Sequence, residues 1–225
     1  MWDIAELKER GREAFKANYW PCVGVALLMT VFAGGSGLSS RAQSSTTDVQ
    51  HSVENVSPEV VVAAFIGFLA ALGIALLIKI FLANPIELGG CTFFKKNLEE
   101  GSAPFSTIKA GFQNYGHTFV TLFLRDLFLI LWFLLLLIPG FIKAYSYCMV
   151  PYILAEHPEL SANEVITRSR KMMNGNKWQA FKLDLSFIGW ILLGTVTLGI
   201  VQVFWTSPYM ESAQAALYLK LRDEQ

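Results

Sequence analysis

From Tyr19 to Leu38 the chain carries no charged residue, and from Val60 to Ala83 it carries only Lys79. A membrane helix needs about 20 mostly apolar residues, so each stretch predicts one span. Between them, Ser39 to Pro58 is polar and Ser/Thr-rich, a loop that cannot bury a core. Two later regions, Phe119 to Glu156 and Phe181 to Leu221, are too long for a single span, and polar residues interrupt the second half of each. The turn signals "IPGF" (Ile138 to Phe141) and "TLGI" (Thr197 to Ile200) divide each region into a hairpin. The pattern therefore predicts an all-α polytopic membrane bundle of six transmembrane helices.

Basic residues support the hairpins. With six spans, the Lys and Arg residues of 8–16, 95–109, 168–182 and 220–222 fall on one side. Arg41 falls on the other, with Lys143 near that second surface. With four spans, Arg168, Arg170 and Lys171 would have to cross, against the bias that keeps Lys and Arg near cytoplasmic span ends. The expected topology has both termini cytoplasmic and an extracytoplasmic loop over 39–58.

The polar segments repeat. "WDIAELKERGREAFKANYW" (Trp2 to Trp20) aligns without a gap on "LSANEVITRSRKMMNGNKW" (Leu160 to Trp178). Each opens with a side-chain oxygen at the N-cap, Asp3 or Ser161, and Glu three residues on, Glu6 or Glu164. That is a capping box, and Trp2 with Leu7 and Leu160 with Val165 supply hydrophobic staples. Both bodies are amphipathic and basic, suited to the headgroup layer, with Trp20 and Trp178 as interfacial anchors at the start of a span. A fainter third copy, "SAPFSTIKAGFQNYGHTF", lacks the Glu and places Phe119 as its anchor.

The return helices repeat as well. "FLANPI", "YCMVPY" and "FWTSPY" each set a proline four residues after an aromatic: Pro85 after Phe81, Pro151 after Tyr147, Pro208 after Phe204. Proline cannot donate to the carbonyl four residues back, so these three helices should kink and leave the carbonyls of Phe81, Tyr147 and Phe204 open. The unit is thus an amphipathic helix, an aromatic anchor, an outgoing span, a turn and a Pro-kinked return span. One integral membrane domain, 1–225, holds three such repeats: 2–95, 102–156 and 160–222. Each has an even number of spans, so the copies share an orientation about an axis along the membrane normal.

The run from "PGFIKAYSYCMVPYILAEHPEL" through "SANEVITRSRKMMNGNKWQAFKLDLSFIGW" to "SPYMESAQAALYLKLRDE" closely resembles a bacterial family of integral membrane proteins defined by a domain of unknown function, number 975. "ELKERGREAFKANYW" is similar to that family's opening. More distantly, the chain is similar to the membrane domains attached to some glycerophosphodiester phosphodiesterases. The resemblance implies the cytoplasmic membrane of a bacterium and carries no activity, ligand or catalytic residue with it.

Composition agrees with the pattern. Hydrophobic residues make up 53% and charged residues 16%, against about a quarter charged in soluble domains. The 18 basic and 18 acidic residues cancel, which excludes nucleic acid as an expected partner. Cys22, Cys91 and Cys148 have no paired spacing and read as small hydrophobes, and no cleavable leader is expected at the N-terminus. The histidines have no metal-ligand spacing, "AEHPEL" reads as a solvated turn, and no phosphate loop or nucleophile elbow occurs. No enzyme, cofactor or metal is expected. The glycines of "AGGSG" and the ladder Ala63, Gly67, Ala71, Ala75 read as helix-packing faces.

Charges inside the spans are the candidate site. Lys79 lies six residues before Pro85, Arg125 and Asp126 six and seven after Phe119, and Asp184 six after Trp178. All four should sit about 9 Å inside the cytoplasmic boundary, with Arg125 paired to Asp184. The belt is either a set of interhelical salt bridges or a site for an anionic group. The expected role is non-catalytic binding of lipid, amphipathic peptide or a membrane partner. The alternative is a small transporter for an anionic or amphipathic solute.

Overall fold

The computed structural model describes residues 2–33, 62, 65–71, 73, 79–197 and 199–224, which form helices and turns with no strand among them. The first helix, α1 (Ile4–Ala17), is capped by Asp3, whose side chain accepts from the Ala5 amide at 2.9 Å. α2 (Tyr19–Leu28) follows and ends in a π-helical turn, Met29–Ala33. The 39–58 loop and most of the second expected span lie outside the described residues. A second π turn, Lys79–Ala83, leads into α3 (Asn84–Glu100), and a 3-10 helix, Phe105–Phe112, precedes α4 (Tyr115–Leu135). Then come α5 (Leu137–Tyr147), α6 (Val150–Glu156), α7 (Ala162–Met172), α8 (Lys177–Leu185) and α9 (Ile188–Val196). A third π turn, Gln202–Thr206, opens α10 (Ser207–Asp223).

Three helical stretches are long and apolar enough to cross a membrane: Tyr115–Leu135, Leu137–Glu156 and Lys177–Val196, with the apolar Tyr19–Phe32 shorter. Two of these form the first expected hairpin. Its bend falls at Leu136, which is extended (φ −159°, ψ 139°), and not within "IPGF". Pro139 instead sits in the first turn of α5, where a missing N–H leaves no helical bond unmade. The second bend falls where expected: Gly199 takes φ 89° and its amide bonds the Gly194 carbonyl at 2.8 Å, closing the end of α9.

Each of the three prolines is the second residue of a helix, directly after an irregular turn: Pro85 in α3, Pro151 in α6, Pro208 in α10. These helices are buried on nearly every side and form the centre of the molecule. α3 packs on both α6 and α10, and Tyr152 of α6 stacks on Tyr218 of α10 at 5.1 Å between centroids. Around them, α1 packs on α10, the 3-10 helix on α3, and α7 on α6. The approach of α1 to α10 is close. A Cβ on Gly11 would lie 2.8 Å from the Ala213 backbone nitrogen, so only glycine fits.

Three expectations change here. The apolar stripes of α1 (Leu7, Phe15) and α7 (Val165, Ile166, Met172) are buried against protein and are not free to rest on lipid. The faint third copy is a 3-10 helix packed along α3 and not an α-helix. The small-residue ladder does not pack where it is described: a Cβ on Gly67 would meet nothing within 4 Å, and Ala71 is exposed. Ala63, Ala75 and the run Gly34 to Gly37 lie outside the described residues.

Candidate functional site

The outgoing helices α2, α4 and α8 start after Asn18, Asn114 and Asn176. Aligned on these helix starts, Asn18-Tyr19-Trp20 matches Asn114-Tyr115-Gly116 and Asn176-Lys177-Trp178. The residue matching the two tryptophans is Gly116, and Phe119 lies three residues further on. Trp20 and Trp178 are exposed, 72% and 64%. Phe119 is half-buried in an aromatic column, 5.6 Å from Phe81, 6.4 Å from Tyr115 and 5.8 Å from Phe123.

That three-residue offset also corrects the belt. Arg125 follows Asn114 by eleven residues and Asp184 follows Asn176 by eight, so their depths differ by about 4.5 Å. They do not pair. Arg125, 7% exposed, makes a bidentate bridge to Glu87 of α3, Nη1 to Oε1 at 2.5 Å and Nη2 to Oε2 at 2.9 Å. Its Nε and Nη2 also donate to Asp126 Oδ1 at 3.0 and 2.8 Å. Asp184 accepts from the Tyr145 hydroxyl at 2.9 Å, and Gln214 of α10 is its other side-chain partner. Lys79 opens its π turn, and its side chain lies outside the described residues. The one described belt cation is thus enclosed by two carboxylates.

Two of the three carbonyls opened by proline have found side-chain donors. The Tyr115 hydroxyl donates to the Phe81 carbonyl at 3.0 Å, and the Tyr19 hydroxyl to the Phe204 carbonyl at 3.0 Å. In both cases the first residue of an outgoing helix reaches the carbonyl four residues before a proline. At the third position the residue is Lys177, and no side chain donates to the Tyr147 carbonyl among the described residues. Ser169 of α7 closes that joint differently, donating to the Ser146 carbonyl at 2.9 Å.

Polar ties absent from the sequence reading hold the inner helices at their far ends. Glu156 of α6 accepts from the Tyr218 hydroxyl and from Arg222 Nη1 at 3.0 Å, both on α10. Arg222 also bonds Glu99 of α3 at 2.6 Å, and Lys95 of α3 stands 3.9 Å from Glu156. So Glu156, half-buried, ties α6 to α10, while His157 and Glu159 pair with each other at 3.1 Å in the turn outside. Asn97 of α3 receives Asn18 Nδ2 at 2.7 Å and donates to the Ala14 carbonyl at 2.8 Å, fastening the junction of α1 and α2. Glu87, Asn97, Glu156 and Tyr218 carry no periodic signal, and only the packing of distant segments reveals them.

Among the described residues there is no group of three or more His, Cys, Asp or Glu that could hold a metal. The cysteines are free, with Cys22 and Cys91 buried. Residues 120–225, from within α4 onward, match the family model described as "Protein of unknown function (DUF975)". No curated protein matches the chain. No solved structure matches it either.

Proposed function

We propose that this chain is a six-span protein of the bacterial cytoplasmic membrane, built as three hairpin units in a ring, and that it acts by binding and not by catalysis. Its ligands on this reading are membrane lipids or the amphipathic segment of a membrane partner. The observation that carries it is the closure of the described part of the belt: Arg125 is taken up by Glu87 and Asp126, and Asp184 by Tyr145 and Gln214. A transport site for an anion needs an available cation at that depth, whereas a set of paired charges braces helices. A shared packing rule supports the ring. Each pre-span helix packs on the Pro-initiated helix of the unit before it, with α1 on α10 closing the circle.

The irregular turns ahead of Pro85, Pro151 and Pro208 favour a second reading, since interrupted helices line the midplane sites of many transporters. Counterflow of labelled organic and phosphate anions in proteoliposomes separates the two. The binding reading expects no exchange above that of protein-free vesicles. Exchange that disappears on Arg125→Leu, in a variant that still reconstitutes, would establish transport.

A further inference from the structure

The joint between the second and third units differs from the other two. Where Tyr19 and Tyr115 supply hydroxyls, it has Lys177. In sequence, seven residues before these positions stand Arg12, Ile108 and Arg170, and eight before the prolines stand Leu77, Lys143 and Ile200. Lys143, Arg170 and Lys177 therefore meet at one joint, where α5 packs on α7 and α8. Lys143 lies within electrostatic range of both Arg170 and Lys177. Its ammonium is 4.5 Å from the centroid of the Trp132 ring, although the charge pattern expected it near the opposite surface.

No carboxylate among the described residues lies within ion-pair distance of these three cations. The contrast with Arg12 is direct, since Glu9 holds that guanidinium at 2.6 Å. Like charges grouped on a partly apolar wall repel one another, and an anion among them relieves that repulsion. The surroundings say which kind. Ile142 of α5, Trp178 and Leu185 of α8 and Ile188 of α9 are exposed along the neighbouring helices, an apolar surface suited to acyl chains.

We propose that Lys143, Arg170 and Lys177 bind the phosphate headgroup of an anionic phospholipid, whose chains lie along α5 and α8. This rests on the reading that these helices cross the membrane. Lys143 and Lys177 give point charges to the phosphate, and Arg170 can add paired hydrogen bonds.

The test exchanges the purified protein into nanodiscs of equimolar phosphatidylglycerol and phosphatidylcholine with matched chains, then counts retained lipid by native mass spectrometry. Native protein is expected to retain phosphatidylglycerol preferentially. Lys143→Gln and Lys177→Tyr should each weaken retention about fivefold, the effect of removing one basic residue near an anionic surface. Lys96→Gln, an exposed charge elsewhere, should leave it unchanged. If Lys143→Gln fails to fold, Lys177→Tyr, which restores the residue of the other joints, still reads the site. Retention equal to native in Lys177→Tyr, or equal loss in Lys96→Gln, overturns the proposal. Glycerol phosphate without chains should not compete; competition at the lipid's own concentration would show a soluble anion's site and overturn the lipid assignment. Thiol labelling of the same preparations reports the topology separately, so a failed six-span reading is distinguishable from a failed site.

Discussion

Arg125 is the residue on which the interior depends most. Removing one partner of a buried bidentate pair leaves the other charge poorly solvated, at a cost of about 3–5 kcal/mol. Arg125→Leu should therefore lower the melting temperature in detergent strongly, and adding Glu87→Leu should recover part of the loss. Asp184→Leu belongs to a separate network with Tyr145, so its loss should add to that of Arg125→Leu. Recovery in the Arg125→Leu/Asp184→Leu pair would contradict the assignment. The tyrosine latches are smaller. Tyr19→Phe and Tyr115→Phe should each cost about 0.5–1.5 kcal/mol, because each leaves one carbonyl without its donor. The presence of buried charge was legible in the sequence, since Arg125 and Asp184 stand out in apolar runs. Their partners were not. Glu87 follows Pro85 by two residues near the start of α3, and nothing in one dimension brings it to Arg125.

At the scale of the element, one of the two expected capping boxes forms: Asp3 caps α1 through the Ala5 amide alone, without Glu6 reaching back, whereas the second copy closes in full. Ser161 and Glu164 form the full capping box, with Glu164 Oε2 accepting the Ser161 amide at 2.8 Å. Ser161→Ala should cost about 1 kcal/mol in thermal unfolding. The bonds to Ser161 hold the Glu164 carboxyl below its usual range. That contribution is present above the unfolded carboxylate pKa and is lost as pH falls through the lower folded value. The proline turns were legible too, because proline's missing donor acts wherever the chain goes. The second pre-span element was misplaced by three residues: with no Trp beside Asn114, the alignment settles on Phe119, and the depth of Arg125 shifts with it. What covers α1 was also hidden, because an apolar stripe is the same whether lipid or α10 meets it. Gly11→Ala tests that contact. Its Cβ would press on the Ala213 backbone, and overpacking of this kind costs about 1–3 kcal/mol.

For the whole molecule, the account rests on three hairpins of common orientation, closed into a ring by α1 on α10. The central ties of Glu99, Glu156, Tyr218 and Arg222 gather the three Pro-initiated helices at one end, as such a ring requires. Three long apolar helices are described, and the remaining spans are proposed from the repeat and from the placement of Lys and Arg. The most direct measurement is thiol accessibility on intact cells in a cysteine-replaced background, using Ser45→Cys, Ser102→Cys and Ser161→Cys with an impermeant reagent. The account predicts labelling of Ser45→Cys from outside, and of Ser102→Cys and Ser161→Cys only after the membrane is opened. Labelling of Ser161→Cys on intact cells would contradict it, placing α7 outside and reducing each long region to a single span.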